Sequence, residues 1–216
     1  MRYAIYLTPP EGDPLADAAA RWLGRSPFDE TPRATAAPAS ARADVPARYG
    51  FHATLKAPFR LAEGADEPAL LEAFHQAYAG PPLVLRLTIA PLSRFLAFRT
   101  EDEAAEAAAR RAVEAFEPLR APLTVEERAR RRPERLDAHG LALLERWGYP
   151  YVMDRFTFHM TLTGPLDLAD AASVADAAHG HFAEHDGAHH RLVHAVYRED
   201  EPGGPFRVIA TEAVRQ

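Results

Sequence analysis

Apolar and polar positions alternate over Arg2–Thr8, which predicts a first strand. A helix follows over 13–24, with Asp13 as cap, Pro14 at its first position and Leu15, Ala19, Trp22 and Leu23 on one side. Residues 25–46 are rich in Pro, Ala, Ser and Thr, have no period, and read as a long irregular loop that could move as a lid. The aromatic stretch 49–61 predicts a strand. Positions 67–78 predict a helix with Leu70, Leu71, Phe74 and Tyr78 buried, stopped at Gly80-Pro81-Pro82. Leu83, Leu85, Leu87 and Ile89 alternate as a strand over 83–89. Phe95–Arg99 is another, and 101–116 is an Ala-rich helix with acidic residues in its first turn.

The second half opens with a charged helical stretch over 124–147, interrupted at Pro133. Strand character returns over 151–162. A helix over 169–185, a strand over 192–198, a turn at Glu201-Pro202-Gly203-Gly204-Pro205 and a last strand over 206–214 complete the chain. This order predicts α+β with mostly antiparallel sheets rather than the alternation of a doubly wound fold.

Two segments repeat one another. Phe51-His52-Ala53-Thr54-Leu55 continues through Lys56 and Ala57 to Pro58-Phe59, and Phe158-His159-Met160-Thr161-Leu162 continues through Thr163 and Gly164 to Pro165-Leu166. The histidines lie 107 positions apart in 216. This spacing predicts a single bilobal, duplicated domain over 1–216, with lobes of about 1–120 and 121–216 whose sheets face each other across a central cleft. On a strand, side chains two apart share a face, so His52 projects with Thr54 and His159 with Thr161. Two imidazoles in one cleft can supply a base and an acid near neutral pH, and two hydroxyls can donate to phosphoryl oxygens. As a metal site the two motifs offer only two good ligands, so no metal is expected.

Composition sharpens this reading. Cys is absent, which excludes disulfides and thiolate chemistry. Lys plus Arg is 25 against 31 for Asp plus Glu, a formal charge of -6 that argues against a broadly basic nucleic-acid surface. No apolar run is long enough for a membrane span, and the start lacks the apolar run of a signal peptide, so a cytoplasmic location is expected. Lys56 is the single lysine among many arginines. It is expected on the His52 face if the strand continues, as a phosphate-binding group. Arg155, four residues before His159, has the parity to reach the same cleft. Tyr49 faces away on a regular strand, but a turn at Gly50 could bring it in. Arg94 and Arg99 are expected on the surface, and so is the mixed-charge Arg128 to Arg135 cluster. The histidines at 179, 181, 185, 189, 190 and 194 read as a polar helix end and loop.

The paired His-x-Thr motifs resemble the 2H phosphoesterase superfamily. The longer strings Arg48-Tyr49-Gly50-Phe51-His52-Ala53-Thr54-Leu55-Lys56 and Phe158-His159-Met160-Thr161-Leu162-Thr163-Gly164-Pro165 look like its DUF1045-type branch, often encoded with phosphonate-degradation genes. The resemblance implies a bilobal fold and a phosphodiesterase that needs neither metal nor cofactor. His52 and His159 are then the acid–base pair, with Thr54 and Thr161 orienting the phosphate. It implies a small cyclic phosphodiester substrate, such as a ribose cyclic phosphate, with no membrane and no obligatory protein partner. An RNA 2',3'-cyclic phosphodiesterase or 2',5'-ligase-like enzyme acting on an RNA end is the alternative. A non-catalytic nucleotide-binding module is a third reading.

Overall fold

A computed structural model describes residues 1–29 and 31–212. The chain opens with β1 (Arg2–Thr8) and α1 (Pro14–Leu23). The Asp13 carboxylate accepts from the Leu15 N–H at the start of α1, and Gly24 ends it in the left-handed region, so both ends of this helix are satisfied by the residues that mark them in the sequence. The stretch read as a loop holds a single 3₁₀ turn and the short α2 (Asp44–Ala47). It is tied down: Arg33 N–H donates to Gly24, Ala36 N–H to Arg21, and Val208 N–H to Pro27, all main-chain bonds.

Then come β2 (Ala53–Phe59), α3 (Glu67–Ala77), β3 (Leu83–Arg86), β4 (Thr88–Leu92), β5 (Phe95–Arg99) and α4 (Glu103–Ala115). After them run α5 (Val125–Arg130), α6 (Ala138–Trp147), β6 (Met160–Thr161), α7 (Ala171–His181), β7 (His189–Glu199) and β8 (Phe206–Thr211). The predicted continuation of the last strand to 214 lies outside the described residues. Among those residues no helix is long and apolar enough to cross a membrane.

All eight strands belong to one antiparallel sheet, in the order β3-β7-β1-β2-β6-β5-β4, with β8 also on β7. This corrects the expectation of a bilobal, duplicated fold with two sheets facing across a cleft. The repeated segments are neighbours in the same sheet: Ala53 of β2 pairs with Met160 of β6. The repeat therefore marks the seam of one sheet rather than the centres of two lobes. Only Leu87 separates β3 from β4, which stand at opposite ends of the strand order. Two peptide steps span at most ~7 Å, so the sheet must curl until its two ends meet.

The sheet has two unlike faces. Tyr3, Ile5 and Leu7 of β1 point with Leu55, Phe98, Met160 and Val196 into the main core. Trp22 of α1, Phe74 of α3, Ala112 of α4 and Val174 of α7 close that core from the helix side. Trp22 also donates its indole N–H to the Leu162 carbonyl at 2.8 Å, fastening α1 to the strand that carries the second motif. Each fully buried side chain of this size contributes roughly 1.5–3 kcal/mol. The opposite face carries a small cluster of Ala4, Tyr6, Ala195, Tyr197 and Phe206, and here the repeated motifs project.

Two predicted strands are corrected. Residues 83–89 are broken at Leu87, whose flanking segments pair with different partners. Residues 151–162 form a 3₁₀ turn at Met153–Arg155 and only the two-residue β6. Met153 lies at φ 56, in the left-handed region, which breaks the extended chain before it reaches the motif.

Candidate functional site

The segment before His52 is held from three sides. Arg48 is ion-paired with the buried Glu199 of β7 and donates from Nε to the Gly204 carbonyl at 3.1 Å. Arg25 donates to the Ala47 carbonyl at 2.9 Å. Phe206 N–H reaches the Arg48 carbonyl at 2.8 Å. Gly50 then turns the chain at φ 73, where a Cβ would stand 2.7 Å from Pro27 Cβ, so both conformation and space demand glycine. The Gly50 carbonyl accepts from His52 Nδ1 at 2.9 Å. This fixes the neutral tautomer, and His52 Nε2 accepts from the Thr54 hydroxyl at 3.2 Å. The ring stacks on Tyr6 at 3.9 Å between centroids, with Tyr49 and Tyr197 at 6.0 and 6.1 Å.

His159 repeats the device. Its Nδ1 donates to the Thr157 carbonyl at 2.8 Å, leaving Nε2 without a protein partner among the described residues. Phe95 is its aromatic neighbour, at 5.9 Å. Continuing the register through Ala53 and Met160 sets Thr54 opposite His159 and His52 opposite Thr161. Both imidazoles and both hydroxyls thus share one patch of one face.

Burial pushes the His52 imidazole down to about 4; the Gly50 hydrogen bond opposes this and the charge of His159 adds to it. Burial also lowers His159, against its Thr157 hydrogen bond and with the help of Arg99. At neutral pH both rings are therefore neutral, with lone pairs on Nε2. The free protein presents two bases, and one becomes an acid only when a bound anion raises it.

Of the three expected binding residues, the structure moves Lys56 off the His52 face and keeps Arg155 and Tyr49 near the motifs. Lys56 is 3 % exposed and lies on the helix side, donating to the Val113 carbonyl at 3.0 Å and to Glu117 at 2.9 Å. The reason is a bulge. Tyr6 pairs with Thr54 but Ile5 pairs with Lys56, so one extra residue in β2 turns the lysine to the core face. Arg155 sits on the 3₁₀ turn rather than a strand and is paired with Asp137 at 2.5 Å. It lines a cavity of about 460 Å³ together with Thr54, Phe95, Tyr149 and His159. Tyr49 is carried toward His52 by the Gly50 turn and stacks on Phe206.

Sequence reading also placed Arg99 on the surface. The pairing of Ala97 with Thr161, continued by two residues, sets Arg99 opposite His159. Its Nε is buried with no hydrogen-bond partner among the described residues. Tyr6 and Phe95 were missed as well, since only strand pairing brings them beside the imidazoles. Among the described residues there is no group of three or more His, Cys, Asp or Glu able to hold a metal ion.

Comparison with known proteins bears on what this patch does. A ribose 1,5-bisphosphate phosphokinase PhnN from Janthinobacterium sp. (strain Marseille) is 42% identical over 222 residues, covering 95% of this chain and 49% of the relative. The protein of the same name from Laribacter hongkongensis (strain HLHK9) is 38% identical over 218 residues, covering 96% of this chain and 50% of the relative. The chain thus spans about half the length of the curated relatives it matches. Their name overturns the expectation of a cyclic phosphodiesterase, on a ribose cyclic phosphate or on RNA, because a phosphokinase transfers a phosphoryl group rather than hydrolysing a diester. The expectation of a phosphodiester substrate falls with it. The sequence model of a family described as a protein of unknown function, DUF1045, matches residues 54–207, from the first motif threonine through the whole second motif, and the chain belongs to that family.

Proposed function

We propose that the His52–His159 patch binds a phosphorylated ribose and serves the acceptor side of a phosphoryl transfer to that sugar. The observation that carries this is the set of groups on one sheet face: two neutral imidazoles, two hydroxyls, and the unpartnered buried Nε of Arg99 beside His159. The relatives named for ribose 1,5-bisphosphate point to the sugar.

In this reading Arg99, Thr54 and Thr161 hold the non-bridging oxygens of a sugar phosphate. An imidazole Nε2 takes the proton from the phosphate monoanion, so the oxygen that attacks the donor phosphorus carries full charge. The new bond joins that oxygen to phosphorus as the donor's own P–O bond breaks. Lys56 takes no part, because Glu117 and the Val113 carbonyl already use its ammonium. The reading places the phosphoryl donor's site in the remaining half of the longer relatives. A cytoplasmic location goes with it, since phosphorylated sugars are kept inside the cell.

The test is a titration with ribose 1,5-bisphosphate and ribose 5-phosphate, followed by the ring-proton NMR signals of His52 and His159. Binding should move both signals and raise both pKa values, and His52→Ala with His159→Ala should each weaken it by ~10–100-fold. Unmoved histidine signals at millimolar sugar phosphate would refute the proposal.

A further inference from the structure

The helix-covered side of the sheet holds a second cavity, of about 310 Å³, a size ordinary for small-molecule sites. It lies between the end of α3, the start of β3, the outer side of α4 and the middle of β7. His194 and Glu212 form its floor, Tyr78 a wall and Arg111 its rim. His194 pairs with Leu7, a core residue, so it points away from the His52 patch.

Three of the six buried side-chain atoms that lack a hydrogen-bond partner among the described residues meet in this one cavity. They are Tyr78 Oη, His194 Nε2 and Glu212 Oε1. Their residues are 5 %, 6 % and 3 % exposed. Buried polar atoms in folded proteins nearly always have partners, so such a concentration marks a place where a partner binds.

Their hydrogen-bonding capacity describes that partner. His194 Nδ1 lies 2.5 Å from Glu212 Oε2, and that contact turns Nε2 into the cavity, where it can pair with a hydroxyl. Glu212 Oε1 accepts beside it. Tyr78, stacked on His194 at 3.8 Å, can give or accept. A carboxylate oxygen, an imidazole nitrogen and a hydroxyl side by side suit a vicinal diol, whose hydroxyls both donate and accept. An ammonium ligand would meet Arg111 at the mouth, and a simple anion would meet Glu212 at the floor. A diol carrying a phosphate at its far end satisfies both.

We infer that this cavity is a second site, separate from the His52 patch, for a ribose bearing a 5'-phosphate, either as the free sugar phosphate or within a nucleotide. The inference rests on this cavity alone and stands whether or not the His52 patch binds sugar. The experiment uses His52→Ala/His159→Ala protein, in which the first patch is disabled, and calorimetric titration with ribose 5-phosphate and with adenosine 5'-monophosphate. One of the two should bind with unit stoichiometry, and which one binds identifies the source. The 2'-deoxy analogue, lacking the diol, should bind ~10-fold more weakly or worse. Arg111→Ala and Glu212→Gln, added singly, should each weaken binding by a similar ~10-fold. Arg111 is exposed, so its variant keeps the fold, and circular dichroism verifies this for both. Failure of both ligands to bind at millimolar concentration overturns the inference. So does binding that is indifferent to Arg111→Ala and Glu212→Gln.

Discussion

The two His-x-Thr segments have the same local wiring and unlike surroundings. In each, the imidazole Nδ1 donates to the carbonyl two residues back, Gly50 for His52 and Thr157 for His159. The first is embedded. It begins the seven-residue β2, its ring is stacked on Tyr6, and its turn is pressed against Pro27. The second stands on the two-residue β6, follows a 3₁₀ turn, and has an exposed Thr157 as its acceptor. The difference teaches that the motif specifies the orientation of the ring, whereas the neighbours decide how firmly it is held and how it titrates.

The largest expected effect on this comparison comes from the two acceptor positions. Gly50→Ala meets a left-handed backbone and a close Pro27 together, and should cost ~2–4 kcal/mol in denaturant unfolding. Thr157→Ala, at an exposed site, should cost under ~0.5 kcal/mol. Equal costs would show that the first turn is no tighter than the second.

The cations come next. Arg99→Ala should weaken ribose 1,5-bisphosphate binding by ~10–100-fold, because it removes an uncommitted charge beside His159. Arg155→Ala, whose partner is already Asp137, should weaken it by less than ~3-fold. Titration calorimetry distinguishes them, and the reverse order would move the anion site to the 3₁₀ turn.

A pH experiment separates the histidines. His52 falls to about 4 in the folded chain, below the ~6.5 of an unfolded one, so the unfolded state binds the proton first as pH drops. Its contribution to stability is complete above ~6.5, is lost on acidification toward about 4, and changes no further below that. The loss should be on the order of 3 kcal/mol, and His52→Gln should remove it. Denaturant unfolding of both proteins at pH 7.5 and 4.5 measures this, and identical pH profiles would show that His52 is not protected.

The aromatic neighbours give a further contrast. Phe95→Ala should cost ~1 kcal/mol, since Phe95 is only partly buried, whereas fully buried Tyr6 should cost ~3 kcal/mol or more as Tyr6→Ala. A larger loss at Phe95 would make the second motif the better packed of the two.

How much of this was legible in the sequence follows from physical range. The cap and stop of α1 are local, so Asp13, Pro14 and Gly24 announced them. The facing of His52 with Thr54 needed only a pleat of period two. Lys56 was misplaced because a bulge adds one residue and reverses the facing until a second shift restores it at Phe59, and a bulge depends on the partner strand. The stretch at 151–162 was misread because its aromatic content suits a strand while Met153 bends the chain out of one. Arg99 could be found only through strand register. The repeat itself was visible, yet whether two copies make two lobes or one seam depends on pairing between residues far apart in the chain. The reaction was misjudged for a related reason: a pair of histidines and threonines is suited to several kinds of phosphate chemistry.

The strand order also has a temporal side. β1 runs beside β7, with Leu7 set against His194, so β1 leaves the ribosome long before this partner strand does. At roughly 5–20 residues per second, that delay is on the order of ten seconds or more. Throughout it Tyr3, Ile5 and Leu7 have an open edge and no finished core. With its ends joined through Leu87, the sheet gains little from partial assembly, and folding should be slow, late and all at once. A nascent chain of this design is one that a chaperone would be expected to hold.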